Sequence, residues 1–225
     1  MKNLLKILAL VLVFAMTAVM FVACGKDNND NDDQGGDVPQ TPVVTVDSTI
    51  SDAALKNIVG SGRLIVTAAG QSSTVSVESL LENAGWTMGT ESGAKVYVIN
   101  NKLTAADLQA GDTVIIVLGT SGKGLGDAGV SQEDELRRAE AIVEKDGINI
   151  IALHTGKKEY RGNSSDPIIE AVVPAAKVAL VVDDGKGSGG NYDGLFTRLC
   201  GSSVPLYTFS KVSKMVESVS FLVNA

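Results

Sequence analysis

Cysteine and histidine are nearly missing from the chain. With two cysteines and a single histidine in 225 residues, it cannot assemble a His-based zinc site, and no CxxC pair is present. No metal or cofactor is therefore expected. Positive charge is also short, at 19 Lys and Arg against 26 Asp and Glu for a net charge of -7. That balance argues against nucleic acid and against charge-driven binding to acidic lipid surfaces. Beyond residue 23 no apolar stretch approaches the ~18 residues needed to span a membrane. No GxSxG nucleophile elbow occurs either. Cys200, within LFTRLCG, reads as a small core residue rather than a nucleophile.

What is present begins with an apolar run. Lys2 and Lys6 flank its start, and it continues to Ala23, broken only by Thr17. A basic segment, an apolar segment and a small residue before the break make a secretory signal over residues 1–23. The run ends in FVAC with Gly25 and polar residues following, which resembles a bacterial lipoprotein signal. That resemblance implies lipidation of Cys24, with Phe21 standing where such signals usually carry Leu, Val or Ile. With Cys24 acylated, no disulfide framework remains.

Residues 24–47 hold six Asp against one Lys and too few apolar side chains to offset the entropy of ordering. They read as an acidic, disordered tether. Val43, Val44 and Val46 alternate with polar residues and suggest an edge strand at its end.

Residues 48–225 amount to one domain, long enough to bury a core without staples. Six short apolar runs mark strands: Arg63 to Ala69, Lys95 to Ile99, Thr113 to Leu118, Ile148 to Leu153, Lys177 to Val182 and Val204 to Phe209. Between them lie helical patterns. Val77, Leu80, Leu81 and Ala84 share one helix face, and a second helix runs from about Gln132 to Lys145 with Leu136, Ala139, Ile142 and Val143 inward. Thr104 and Asp107 start a short helix through Gln109, stopped by Gly111. Asp166 is placed as a cap with Pro167 at the first helical position. Leu195 to Leu199 and Ser213 to Val223 complete the set. The alternation predicts a three-layer α/β sandwich, Rossmann-like or flavodoxin-like, around a mostly parallel five- or six-stranded sheet. The strand order 2-1-3-4-5 with the sixth at an edge is favoured over 3-2-1-4-5-6.

In such sheets ligands bind at the carboxyl ends of the strands, where the strand order reverses. The loops of that edge are polar and glycine-rich here, whereas those of the opposite edge are short. Ligand contacts are therefore expected from Gln71, Ser72 and Ser73 after the first strand, and from Ser121, Gly122, Lys123, Gly124, Gly126 and Asp127 after the third. His154, Gly156 and Arg161 follow the fourth strand, and Asp183 the fifth. The start of the first helix offers open N–H groups and hydroxyls, with no acid before Glu78, which suits an anion. Lys123, Lys157 and Arg161 are the cations expected to help.

Two familiar glycine motifs do not apply. GTSGKG lacks the Walker A spacing and places Gly124 where a Ser or Thr must hold magnesium. GLGDAG matches GxGxxG, but it follows the third strand, and the next helix opens later, in Gln132-Glu133-Asp134-Glu135 with Ser131 and Asp134 as a capping box. Those acids would repel a phosphate. His154 is the one candidate base. Asp127, Glu159, Asp183 and Asp184 are candidate partners for it, and Ser72, Ser73 and Ser121 candidate nucleophiles.

The segments TAAGQSSTVSVESLLENAG, VIIVLGTSGKGLGDAGVSQEDELRRAEAIV, IIALHTGKKEYRGNSSDPIIEAVVPAA and VVDDGKGSGGNYDGLFTRL together resemble an uncharacterised bacterial family of secreted or lipid-anchored α/β domains. The resemblance covers about residues 63–210 and departs at the GKGSGG insertion. It implies a shared fold and loop face and carries no activity. The expectation is thus an extracytoplasmic lipoprotein, anchored to a bacterial envelope membrane through Cys24, that binds a small anionic or zwitterionic molecule. A cell-envelope hydrolase using His154 and a module docking an envelope protein partner are the alternatives.

Overall fold

Every side chain of Leu64–Ala69 (β1) and Thr113–Leu118 (β4) is buried, the pattern of strands covered on both faces. The computed structural model describes residues 47–91, 93–156, 160–183 and 189–224. The signal, Cys24, the tether up to Val46, Lys157, Glu159 and Asp184 lie outside the described residues. Those described belong to one compact unit, Pro42–Ala225. None of their helices is long and apolar enough to cross a membrane.

The remaining strands are Thr87–Met88 (β2), Val96–Ile99 (β3), Asn149–His154 (β5), Val178–Val182 (β6) and Leu206–Phe209 (β7). They form one sheet in the order β2-β3-β1-β4-β5-β6-β7, and each neighbouring pair is parallel. The six expected strands thus keep the favoured order, and 3-2-1-4-5-6 is not adopted. The sheet is one strand wider than expected because β2 is only two residues long and both are exposed, which leaves no apolar run to signal it.

Alternate side chains of the central strands feed two cores, as the strand period of two requires. Ile115, Val117, Ile151 and Leu153 pack with Val77, Leu80 and Leu81 of Val75–Asn83 (α1) and with Val219, Leu222 and Val223 of Val216–Val223 (α6). Val114, Ile116, Leu118, Ile150 and Ala152 pack on the other face. There they meet Ala139 and Ile142 of Gln132–Val143 (α3), Ile168, Ile169 and Val172 of Asp166–Val172 (α4), and Phe196 and Cys200 of Leu195–Cys200 (α5). Cys200 is a buried free thiol whose pKa is pushed up to about 11 by burial. It is the core residue expected.

Two local details differ. Ser165, not Asp166, is the residue before α4, and Asp166 opens the helix. Its carboxylate instead accepts the Gly162 N–H at 2.9 Å and pairs with Arg161, so an acid in the first turn meets the helix dipole and a cation together. The stretch expected as loop from Gly119 to Gly129 contains a seven-residue helix, Gly122–Ala128 (α2). Ser121 starts it by accepting the Gly124 N–H at 3.1 Å, and Gly129 ends it in the left-handed conformation. Those two caps outweigh the poor helix propensity of three glycines.

Candidate functional site

The chain leaves β1 toward β3 on one side and returns to β4 on the other, so strand order reverses between β1 and β4. At their carboxyl ends the two loops are stitched together. Gln71 bridges Thr120, and the Ser121 N–H donates to the Gly70 carbonyl at 2.9 Å. Gln71 itself sits at φ 56. A methyl on Gly124 would lie 2.3 Å from the Gln71 carbonyl oxygen, so glycine there is a condition of this close approach.

On the α3 side of this crevice the protein supplies its own occupants. Glu135 is fully buried and its Oε1 accepts the Gly70 N–H at 2.8 Å and the Gln71 side-chain amide at 3.2 Å. Arg138 pairs with the same carboxylate at 2.6 Å and donates to the carbonyls of Ala68 and Leu103. Burial works to raise the Glu135 pKa, but Arg138 and the Gly70 N–H hold it below the ordinary glutamate value. The Gln71 amide also reaches the Asn101 carbonyl at 3.2 Å. Gln71 is thereby committed to the structure and its side chain is turned away from the α1 side.

The open space lies on the α1 side. A cavity of about 240 Å³ is lined by Ser72, Ser73, Ser76, Leu118, Thr155 and Tyr160. Thr155 directly follows β5, and Leu118 ends β4. The Ser72 hydroxyl oxygen is buried and has no hydrogen-bond partner among the described residues. At the start of α1, Ser73 Oγ accepts the Val75 N–H at 3.3 Å and the Thr74 carbonyl accepts the Val77 N–H at 2.8 Å. The Ser76 N–H has no acceptor among the described residues. Thr74 makes no side-chain cap and donates its hydroxyl to Glu78 at 2.8 Å instead. One open N–H, one orphan hydroxyl and the positive end of a nine-residue helix therefore meet at one cavity.

The other expected contacts are more scattered. Gly156 touches the ring of the cavity-lining Tyr160 through its backbone. Ser121 is spent as the α2 cap, and Gly122, Lys123, Gly126 and Asp127 lie exposed on α2. Asp183 is half-buried past β6, its N–H donating to the Phe209 carbonyl at 2.8 Å. Ser76, Leu118, Thr155 and Tyr160 are missed by the sequence reading.

His154 and Arg161 form a separate, closed cluster. Strand alternation sends Leu153 to the α1 core, so His154 faces the α5 side, with its ring 5.5 Å from that of Phe196. It is fully buried, and Nε2 has no hydrogen-bond partner among the described residues. Burial drives its pKa down to about 4, and the nearby Tyr160 backbone, which favours charge, does not offset it. The Arg161 side chain is fully buried and pairs with Asp166 at 2.7 Å and Asp193 at 3.1 Å. It also donates to the Gly190 carbonyl. Arg161 is therefore not a free anion-binding cation, and His154 Nδ1 accepts the Gly156 N–H at 3.4 Å rather than a serine hydroxyl.

A larger hollow of about 430 Å³ runs from Arg63 to Asn100 over β1 and β3. Its cation, Arg63, is taken by Asp112 and the Asp107 carbonyl. No group of three or more potential metal ligands occurs among the described residues.

Residues 61–222 match the family model described as "Domain of unknown function (DUF6305)". The chain belongs to that family. The match takes in the whole sheet and the residues that line the cavity. No curated protein and no solved structure matches the chain.

Proposed function

We infer that this domain is a binding module for a small anionic or zwitterionic molecule, held in the cavity at the start of α1. The observation that carries this reading is the convergence of the buried, unpartnered Ser72 hydroxyl and the open Ser76 N–H on the cavity at the strand-order reversal. Buried polar groups are normally satisfied, and an orphan beside a cavity is where a ligand atom completes the bonding. The Glu135–Arg138 pair fills the other side of the crevice and steers a ligand to this side. The hydrolase alternative gains no support, because a base needs hydrogen-bond reach of its nucleophile.

The site sits on an extracytoplasmic lipoprotein, anchored through Cys24 and spaced from the membrane by the acidic tether. The supporting features are the apolar run, the FVAC ending and the Asp-rich segment after it. Cys24→Ser moves the protein from the membrane fraction to the soluble one; retention in the membrane would refute lipid anchoring. Native mass spectrometry of the protein released gently from its cells tests the binding module. A small molecule that leaves on denaturation, and whose occupancy drops in Ser72→Ala, is the expected result. A bare mass that stays bare on titration with carboxylates and phosphates would overturn it.

A further inference from the structure

Tyr160 is one of three large apolar side chains strongly exposed among the described residues, at 40%. It is nevertheless firmly seated. A methyl on Gly156 would lie 2.2 Å from its Cδ2, and one on Gly119 would lie 3.2 Å from its Cβ. The ring thus rests on two residues that carry no side chain, at the ends of β4 and β5, with Arg161 next in sequence locked by Asp166 and Asp193. An aromatic ring that is exposed yet fixed from behind has the form of a stacking platform.

We propose that the ligand is a small aromatic carboxylate, its charged end at Ser72 and Ser76 and its ring against Tyr160. This rests on the anion-binding reading of the same cavity and adds the chemistry of the ligand body. The cavity, at about 240 Å³, is below the roughly 300 Å³ at which drug-sized sites begin, which limits the body to about one ring. The charge offered there is the helix end, about half an elementary charge. With hydroxyls from Ser72, Ser73 and Thr155 around it, that matches a singly charged carboxylate better than a phosphate dianion. Leu118, at the end of β4, is the aliphatic residue of the lining.

Calorimetric titration of the full-length protein with benzoate, cyclohexanecarboxylate and acetate tests this. The two ring acids share size and charge and differ in aromaticity. Benzoate binds tighter than cyclohexanecarboxylate by roughly threefold to tenfold. Tyr160→Leu abolishes that preference, and Tyr160→Phe keeps it. Equal affinity of the two ring acids in the native protein, or a preference that persists in Tyr160→Leu, overturns the aromatic ligand. Acetate and cyclohexanecarboxylate binding, weakened by Ser72→Ala, would then leave the anion site standing. Failure of all three acids to bind overturns the aromatic carboxylate, and failure of inorganic phosphate as well overturns the anion site. If Tyr160→Leu does not fold, Gly156→Ala, which displaces the ring, must remove the same preference.

Discussion

Gly124 in α2 stands so close to Gln71 in the β1–α1 loop that a methyl on its α-carbon would lie 2.3 Å from the Gln71 carbonyl oxygen. The contact joins the two loops of the strand-order reversal across a sequence separation that neither helix nor strand spacing reveals. Its neighbour Gly126, in the same short helix, would meet nothing within 4 Å.

The pair makes opposite predictions for one substitution. Alanine is better than glycine inside a helix by about 1 kcal/mol. Gly126→Ala therefore stabilises the protein by about 0.5–1 kcal/mol. Gly124→Ala must push α2 away from Gln71 and destabilises by about 2 kcal/mol or more, in the range of overpacked sites. Urea unfolding of both variants checks this, and equal effects would remove the close approach from the account.

The contrast also marks what can be read from residues alone. TVIIVL and INIIAL are apolar runs bounded by turns, and they become β4 and β5 within one residue of expectation. Ser131 accepts the Asp134 N–H at 3.0 Å, as its spacing to that residue implies. Local patterns carry such information because their partners are near in sequence. α2 was hidden because its glycines serve a tertiary contact and lower helix propensity. Glu135 reads as one more solvated acid in QEDE, yet it is fully buried against Gly70, 65 residues away. Arg161 reads as a free cation, and only the fold brings Asp193 to it.

His154 makes stability depend on pH. Its folded pKa of about 4 lies below the ~6.5 of an unfolded chain. Between those values the unfolded state binds more protons, so stability rises with pH in that window. It is fully present above about pH 6.5 and is lost progressively as pH falls toward 4, by up to about 3 kcal/mol. Denaturation midpoints measured at pH 7, 6 and 5 should decline in the native protein. In His154→Gln the decline between pH 6.5 and 5 should vanish. An unchanged slope would place the titrating group elsewhere.

Glu135 and Arg138 should behave as a coupled unit. Arg138 retains only 14% side-chain exposure and Glu135 none. Removing one partner leaves the other charge in a dry crevice, which costs about 3–5 kcal/mol. Glu135→Gln therefore destabilises strongly, and so does Arg138→Met. The double variant should cost clearly less than the sum, with a coupling of about 1–3 kcal/mol in a double-mutant cycle. Additive losses would mean that the two side chains act independently, and the crevice would not be closed by their pairing.

Ser72 separates binding from folding. A buried hydroxyl without a partner costs about 1–3 kcal/mol, so deleting it removes a penalty instead of a bond. Ser72→Ala is expected to leave stability unchanged or to raise it by up to about 1 kcal/mol. Ser165, whose hydroxyl accepts the Thr120 N–H at 2.8 Å, is the matched control. Ser165→Ala orphans a part-buried N–H and should destabilise by about 1–2 kcal/mol. Thermal unfolding of both variants in the absence of ligand makes the comparison. A residue kept at a cost to the fold has its use in the bound state, and adding ligand should reverse the order, stabilising the native protein more than Ser72→Ala. If Ser72→Ala destabilises as much as Ser165→Ala does, its hydroxyl already has a partner in the free protein, and the cavity loses the group that points to a ligand.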